Sequence, residues 1–276
     1  MDGILLIHKE AGMTSHDVVG KLRRILHMKK IGHSGTLDPD ATGVLLVLLG
    51  KACKVLPFLE DTDKEYVCEL MLGKQTTTDD IWGEEMKCAP IQPIEDLQAI
   101  LDTFLGKQKQ LPPMVSSVRV NGRKLYEYAR NHEEVERPLR DVEFYKLDVL
   151  DATSMKFRVA CSSGTFIRSL CVDVAQKSGN LGCMKSLVRT KVGRFDLQDS
   201  VTLEQVEKGE FTLHSIQEVL AHLPFVRYEP IKDIYHGKHV HITSNEDRVV
   251  IVDGDEVVAI YERDHGDIFH SVRGLW

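Results

Sequence analysis

The sequence lacks the features that mark membrane-spanning and disulfide-stabilised proteins. Its longest apolar run, Val44 to Leu49, is far shorter than the roughly 20 residues that span a bilayer. The opening segment MDGILLIHKE carries acids and no long apolar core, so we expect neither export nor membrane insertion and predict a cytoplasmic protein. No CxxC pair occurs, which argues against a zinc knuckle and a disulfide scaffold. We interpret the cysteines as reduced and mostly buried: Cys53, Cys68, Cys88, Cys161, Cys171 and Cys183.

Disorder is also excluded as the main state of the chain. The 276 residues are 42% hydrophobic and 28% charged, which is ordinary for a folded protein. The length is about twice the commonest domain size. From Tyr228 onward, β-rich runs such as RVVIVD and EVVAIYER alternate with turns, a pattern typical of a small all-β module. We therefore predict two domains, residues 1–225 and 226–276.

Charge is segregated along the chain. The net charge of −7 alone argues mildly against a nucleic-acid partner. However, residues 107–140 hold eight bases against four acids, and residues 185–194 hold four bases and no acid, whereas residues 60–85 carry nine acids and two bases. Such segregation predicts a basic face on an acidic body, although each cluster by itself is also typical of a solvated surface.

Hydrophobic periodicity and capping residues predict the elements of the first 220 residues. Strands are predicted at 3–7, 44–49, 66–72, 140–150, 155–161 and about 187–195. Helices are predicted from Thr14 or Ser15 to Met28, near 52–59, at 95–105, at 125–131, from Thr165 to Gly179, near 201–208 and at 213–220.

The most informative segment is GHSGTLDPDATG, residues 32–43. Pro39 restrains Asp38 to extended conformations, and the flanking glycines allow tight turns that expose its carboxylate. An exposed and rigidly held aspartate is suited to act as a nucleophile. The same spacing is also typical of an aspartate that caps a helical turn with proline in the first position, and the residues alone leave both interpretations open.

This segment resembles the GHxGxLDPxAxG signature of the TruB-type tRNA pseudouridine synthases. Four further stretches are similar to that family's motifs, and they occur in the family's order: IHKEAGMTSHDVV, KEYVCELMLGKQTTTDDIWGE, LPPMVSSVRVNGRKLYEYAR and CSSGTFIRSLCVDVAQKSG. Together they cover nearly all of residues 1–195. Two departures are Thr77, where many members have Asp, and Phe166, where Tyr is commoner; neither affects the implied chemistry.

The resemblance implies roles for individual residues. Asp38 would be the catalytic carboxylate that attacks the target nucleotide. Arg168 would pair with that carboxylate and keep it ionised and oriented. Tyr66 would stack on the flipped uracil and take part in handling the C5 proton. His33 would lie against the folded T-loop of the RNA.

Supporting roles are implied for Lys9 in a phosphate or structural contact, for Asp80 in ordering a loop and for Leu187 as an apolar wall for the base. We also predict that Lys185, Arg189 and Lys191, which belong to the basic segment 185–194, contact RNA phosphates.

The resemblance further implies an α+β fold, with a mainly antiparallel catalytic sheet and a reduced, PUA-like C-terminal module. The implied reaction isomerises uridine to pseudouridine in the T-loop of tRNA (position 55) without a redox change, so no cofactor is expected. The expected partner is the T-arm and elbow of tRNA, without guide RNA, and the protein is expected to be a monomer. The tail histidines lack a cysteine partner set, so no metal is predicted.

Three alternatives carry less support from the sequence. A noncatalytic RNA-binding or RNA-folding protein would not need Asp38, Tyr66 and Arg168 together. A guide-dependent relative is disfavoured by the short tail and the long segment 107–140. An aspartate-dependent glycosidase would need a second, suitably placed carboxylate.

Overall fold

The structure, a computed structural model, describes residues 1–60 and 62–276. It divides into two compact units. The terminal unit comprises Met1–Pro39, Val44–Asp61 and Leu197–Trp276, and the central unit comprises Asp40–Gly43 and Thr62–Asp196. This division does not follow the predicted boundary at residues 225 and 226, which stays a prediction. No helix in the described ranges is long and apolar enough to cross a membrane.

Both units combine strands with short helices. The strands, in chain order, are β1 (Gly3–Lys9), β2 (Ile31–His33), β3 (Thr42–Leu49), β4 (Lys64–Leu72), β5 (Lys74–Thr76), β6 (Glu85–Cys88), β7 (Gly106–Gln110), β8 (Arg119–Val120), β9 (Arg123–Lys124), β10 (Arg140–Asp151), β11 (Lys156–Cys161), β12 (Gly182–Val192), β13 (Phe195–Asp196), β14 (Phe225–Arg227), β15 (Val240–His241), β16 (Arg248–Asp253), β17 (Glu256–His265) and β18 (Ile268–Gly274). The α-helices are α1 (Ser15–Ile25), α2 (Leu97–Asp102), α3 (Leu125–Arg130), α4 (Ile167–Lys177), α5 (Leu203–Glu207), α6 (Ile216–Val219) and α7 (Ile231–Tyr235).

The central unit is built on an antiparallel sheet. Its strands lie in the order β12, β4, β11, β10 and β7, and each pairs antiparallel with its neighbour. Buried and half-buried residues alternate along most of β4, as the two-residue period of a strand requires. The expected mainly antiparallel α+β fold is therefore confirmed.

Helix α4 packs against β12 of this sheet. At the point of closest approach, a Cβ atom added to Gly182 would lie 2.4 Å from the Cβ of Ala175. A residue without a side chain is needed there, because any Cβ would push the helix away from the sheet.

The beginning of β3 also belongs to the central unit. Thr42 and Gly43 pair in parallel with Val188 and Arg189 of β12. Gly43 has a φ of +116°, and an added Cβ would lie 2.2 Å from the carbonyl oxygen of Arg189. Glycine is therefore required by both the backbone conformation and the close approach of the two strands.

In the terminal unit, α1 is fixed by local hydrogen bonds. The hydroxyl of Thr14 accepts from the amide of Asp17 at 3.0 Å, and the Asp17 carboxylate accepts from the amide of Thr14 at 2.9 Å. This capping box confirms the predicted start of the helix. Its apolar stripe packs on β1 and β3 in a core that includes Leu5, Ile7, Val18, Leu22, Leu45 and Val47.

The tail forms a five-stranded sheet in the order β14, β16, β17, β18 and β15. Apolar residues of the strands and of the short helix α7 form its own core, which includes Ile234, Val249, Tyr261 and Phe269. The prediction of a small all-β module is confirmed for the sheet, whereas the sequence pattern missed α7.

One predicted helix is wrong in type. Instead of a helix near 52–59, the chain forms two 3-10 helices, Gly50–Lys54 and Leu56–Phe58. Pro57 lies in the second of these. Because proline has no amide hydrogen, it cannot continue the hydrogen bonds of an α-helix.

The close approach at Gly43 generates the first prediction. Gly43→Ala should lower the free energy of unfolding by about 2 kcal/mol or more, because the new methyl group meets strand backbone at a strained φ. The measurement is denaturant unfolding. The matched control is Gly20→Ala in α1, where an added Cβ meets nothing within 4 Å; this substitution should stabilise the protein by about 0.5–1 kcal/mol. Equal stability of wild type and Gly43→Ala would contradict the argument.

Candidate active site

The loop that carries Asp38 joins the antiparallel strands β2 and β3. The residues on both sides of Asp38 are held by hydrogen bonds. The amide of Leu37 donates to the Ser15 hydroxyl at 2.9 Å. The carbonyl of Pro39 accepts from the Lys9 ammonium at 2.8 Å and from the amide of Gly12 at 3.1 Å. The loop thus presents a half-buried Asp38 carboxylate on a backbone fixed immediately before and after it.

Lys9 acts here through backbone carbonyl groups. Its side chain is fully buried and donates to the carbonyl of Glu10 at 2.9 Å as well as to that of Pro39. A buried ammonium needs several acceptors to offset its lost hydration. Two roles were expected for Lys9, a phosphate contact and a structural contact, and these hydrogen bonds favour the structural one.

His33 lies at the end of β2 and is half-buried. Its Nδ1 accepts from the amide of Gly35 at 3.3 Å, and its ring lies edge-on to that of His16, with the centroids 5.7 Å apart. The hydrogen bond fixes a ring nitrogen as an acceptor and orients the imidazole at the beginning of the loop.

In the central unit, Tyr66 and Arg189 are direct partners across β4 and β12, and Leu187 is opposite Cys68 in the same register. Cross-strand partners point to the same face of a sheet. Tyr66 is 7% exposed and Arg189 only 1%. Burial lowers the pKa of the Arg189 guanidinium, while the charge and a side-chain hydrogen bond of Tyr66 act to raise it. The sheet therefore places a buried cation beside the phenol.

Arg168 lies in the first turn of α4 and is also buried. Its guanidinium donates to the carbonyl of Thr78 at 2.9 Å and to that of Val115 at 2.9 Å, and lies 3.8 Å from the Asp80 carboxylate. One side chain thus links two loop segments of the central unit. The pairing of Arg168 with Asp38 stays a prediction.

Asp80 organises the loop between β5 and β6. Its carboxylate accepts from the Thr78 hydroxyl at 2.6 Å and from the amide of Trp82 at 3.2 Å, while its carbonyl accepts from the Thr76 hydroxyl at 2.6 Å. These bonds agree with the loop-ordering role. Thr77, a departure from the family pattern, accepts from the amide of Glu84 at 3.1 Å.

The basic segment 185–194 is not one exposed cluster. Lys185 and Lys191 are exposed, and they form ion pairs with Glu69 at 2.9 Å and with Asp196 at 3.5 Å. Arg189, predicted with them as a phosphate contact, has its side chain beneath the surface. The prediction that Arg189 contacts RNA phosphates together with these lysines is therefore corrected. A bulge in β12 lies between residues 189 and 191, and it places their side chains in different environments.

Two half-buried acids of the central unit, Asp79 and Asp173, were not indicated by any sequence pattern. Burial raises the pKa of Asp79, which the charges of Arg168 and Arg137 act to lower. Burial, followed by the charge of Asp79, raises the pKa of Asp173 to about 6. Asp173 belongs to the family-like helix segment, but its type and spacing carry no signal of this shift. No set of three or more potential metal ligands occurs in residues 1–60 and 62–276.

Two family models match consecutive parts of the chain. The model described as TruB family pseudouridylate synthase (N terminal domain) matches residues 23–167, and the model described as tRNA pseudouridylate synthase B C-terminal domain matches residues 168–223. The fold and these matches define a pseudouridylate synthase. The chain belongs to the TruB family, which confirms the resemblance found in its motifs.

Curated relatives extend the match over most of the chain. A tRNA pseudouridine synthase B of Geobacillus kaustophilus is 45% identical over 246 residues, which cover 83% of this chain and 86% of the relative. One of Streptococcus thermophilus is 43% identical over 279 residues, which cover 95% of both chains.

A solved structure, the crystal structure of a Cbf5-Nop10-Gar1 complex, contains a chain of similar fold. It matches with a TM-score of 0.71 and 25% identity, covering 99% of this chain and 85% of that one. A structure of an H/ACA RNP bound to a substrate RNA matches with the same TM-score at 24% identity, over 99% of this chain and 85% of that one. At 24% identity, the similarity to the H/ACA RNP structure shows a shared fold and nothing more.

The raised pKa of Asp173 generates a second prediction. Because its pKa is higher in the folded than in the unfolded state, the free energy of unfolding falls as the pH rises from about 4 to about 6. Asp173→Asn should remove this decrease. It should stabilise the protein at pH 7.5 by an amount on the order of 1 kcal/mol, reduced by partial exposure.

Unfolding by urea at several pH values measures the effect of Asp173→Asn. The difference from wild type should shrink as the pH falls and vanish only below about pH 3, where the carboxyl group is largely protonated in both states. Asp255→Asn, at an exposed turn position, serves as the control. A stabilisation that does not change between pH 4 and 7.5 would point to packing rather than to titration.

Proposed function

We propose that this protein isomerises uridine to pseudouridine in the T-loop of tRNA, with Asp38 as the nucleophile and without guide RNA. The observation that carries the proposal is the fixed geometry of the signature loop. Ser15 holds the residue before Asp38, and Lys9 and Gly12 hold the residue after it. A nucleophile held in this way loses little conformational entropy when it reaches the reacting atom.

The reaction breaks the bond between N1 and C1′ of the ribose, turns the base and joins C1′ to C5; C5 then loses its proton and N1 gains one. The bond that Asp38 forms to the nucleotide is broken again before the product leaves. Atoms and oxidation state are conserved between uridine and pseudouridine. The chemistry therefore needs a nucleophile, a proton acceptor and a site that holds the detached base, and it needs no redox cofactor. We assign the first role to Asp38 and the second to Tyr66.

The target base must leave its stack before Asp38 can reach it. Extrusion costs a few kcal/mol, which stacking on an aromatic ring and phosphate contacts offset. We assign the stacking to Tyr66 and the apolar wall to Leu187, since both side chains belong to one face of the sheet. Arg168 would keep the Asp38 carboxylate ionised.

The expected substrate contact includes the T-arm and elbow of tRNA. We propose that Lys185 and Lys191, which are exposed, and His33 bind there, with a PUA-like role for the C-terminal sheet. The names of the curated relatives support tRNA as the substrate. We also propose a cytoplasmic setting. A noncatalytic RNA-binding protein is not favoured.

A direct test of the nucleophile is Asp38→Asn, which should abolish turnover while tRNA affinity stays within about threefold, because the amide keeps the shape but loses the nucleophilic oxygen. The measurement is pseudouridine mapping in an unmodified tRNA transcript and in a T-arm hairpin, without guide RNA. Asp40→Asn, two residues away in the same loop, is the control and should remain active. Substantial turnover by Asp38→Asn would refute the assignment, and activity that depends on an added guide would favour the guide-dependent alternative.

The exposed lysines are tested by the salt dependence of binding. Replacing Lys185 and Lys191 together by Gln should weaken tRNA binding and reduce the slope of log Kd against log salt by roughly one to two. The reason is that binding with fewer phosphate contacts releases fewer counterions. Lys208→Gln in the terminal unit, which breaks an ion pair with Glu204 of similar geometry, is the control. An unchanged slope would mean that both lysines are solvated surface residues that do not contact RNA.

A further inference from the structure

We propose that Arg189 is a positioning residue that acts through Tyr66: its guanidinium donates a hydrogen bond to the phenol oxygen and stabilises the negative charge of that oxygen before it takes the C5 proton. The inference rests on the proposed function, because it assigns a task to Arg189 within that reaction. It differs from the expectation that Arg189 contacts RNA phosphates.

The register of the strands brings Arg189 and Tyr66 together. Arg189 of β12 and Tyr66 of β4 are direct antiparallel partners, with regular pairing from Leu187 to Arg189. Their side chains therefore leave the sheet on the same face, about 5 Å apart at their Cβ atoms. The two side chains form a hydrogen bond, in which the guanidinium can only donate and the phenol oxygen accepts.

Burying the Arg189 cation carries a cost in free energy. Arg189 is the largest of the side chains that are almost completely buried, and apolar Leu187, Cys68 and Val159 surround the pair in the strand register. An apolar residue of similar size at a buried ionic position is often as stabilising or more so. A charge retained at this position is therefore poorly explained by stability alone.

The backbone of Arg189 is held rigidly by both neighbouring strands. On one side it pairs with Tyr66, and on the other it pairs in parallel with Gly43, the last residue of the signature segment. The approach to Gly43 is so close that no side chain fits there. Functional groups held by strands on both sides keep their geometry more accurately than groups on loops.

The proton transfer follows from these contacts. The phenolate oxygen of Tyr66 forms a bond to the C5 proton, and the electron pair of the C5–H bond forms the C5–C6 double bond. The electrons of the C6–N1 double bond move to N1, which takes up, by way of water, the proton that Tyr66 gave up when it became a phenolate. Tyr66 ends the step as a neutral phenol. Arg189 stays protonated throughout, since a guanidinium does not give up its proton near neutral pH. Its contribution is to favour the anionic form of Tyr66, as a hydrogen bond to a charged form does.

The test is a double-mutant cycle that combines Arg189→Gln and Arg189→Lys with Tyr66→Phe. The readout is single-turnover release of tritium from C5-labelled uridine in tRNA, beside a tRNA binding titration and thermal unfolding of each variant. Tyr66→Phe should slow release by about 100-fold. Arg189→Gln should slow it by about tenfold or more, and Arg189→Lys by less, because an ammonium can still donate to the oxygen.

The decisive comparison is made in the Tyr66→Phe background. If Arg189 acts through the hydroxyl, replacing it there should change the rate by less than about threefold, since its partner is already absent. The matched control is Val159→Ala, which disturbs packing at the other cross-strand neighbour of Tyr66 and should have the same effect in both backgrounds. If Arg189→Gln fails to fold, Arg189→Lys completes the cycle.

Two outcomes would overturn the inference, and they are distinguishable. If wild type releases tritium and the losses of Arg189 and Tyr66 variants multiply, Arg189 does not act through Tyr66 while the proposed function stands. If wild type releases no tritium from tRNA, the proposed function fails and this inference fails with it.

Discussion

The antiparallel pairing of β4 with β12 is the interaction on which the candidate site of the central unit depends. Its register decides that Tyr66, Leu187 and Arg189 share one face of the sheet. A shift of one strand by one residue would put Tyr66 of β4 on the face opposite Leu187 and Arg189 of β12. Hydrophobic burial opposes such a shift, because Cys68 and Leu70 of β4 lie in the core on that same face.

Three of the buried cations in the described residues, Lys9, Arg168 and Arg189, have different kinds of partner. Lys9 and Arg168 donate to backbone carbonyl groups and thereby fix loops: Lys9 holds Pro39, and Arg168 links the segments of Thr78 and Val115. Arg189 instead has a phenol as a partner. Each buried charge loses hydration, which is unfavourable. These three cations nevertheless lie at positions whose geometry matters for the proposed chemistry.

Glycine contributes where backbones must meet. Gly43 allows the start of β3 to pair with Arg189, and Gly182 allows α4 to approach β12. Both contacts leave no room for a Cβ atom. Strand β12 is therefore held by three neighbours: helix α4 packs against it, and strands β3 and β4 pair with it. This strand supplies Leu187 and Arg189.

The amino-acid sequence by itself determined the local structure and the family. The Thr14 and Asp17 capping box, the alternation in β4 and the loop around Asp38 were all predictable, because they depend on residues close together in the chain. The type of helix near Pro57 was predicted wrongly and the short helix α7 was missed, since short elements have weak periodicity.

Only the tertiary structure decided the environment of the charged residues. The segment 185–194 contains no acid, yet Lys185 meets Glu69 of the neighbouring strand β4, and Arg189 lies buried beside Tyr66. Asp173 has a raised pKa because burial and Asp79 act on it. Burial and charge pairing depend on residues far apart in the chain, and strand register, which no local pattern specifies, brings those residues together.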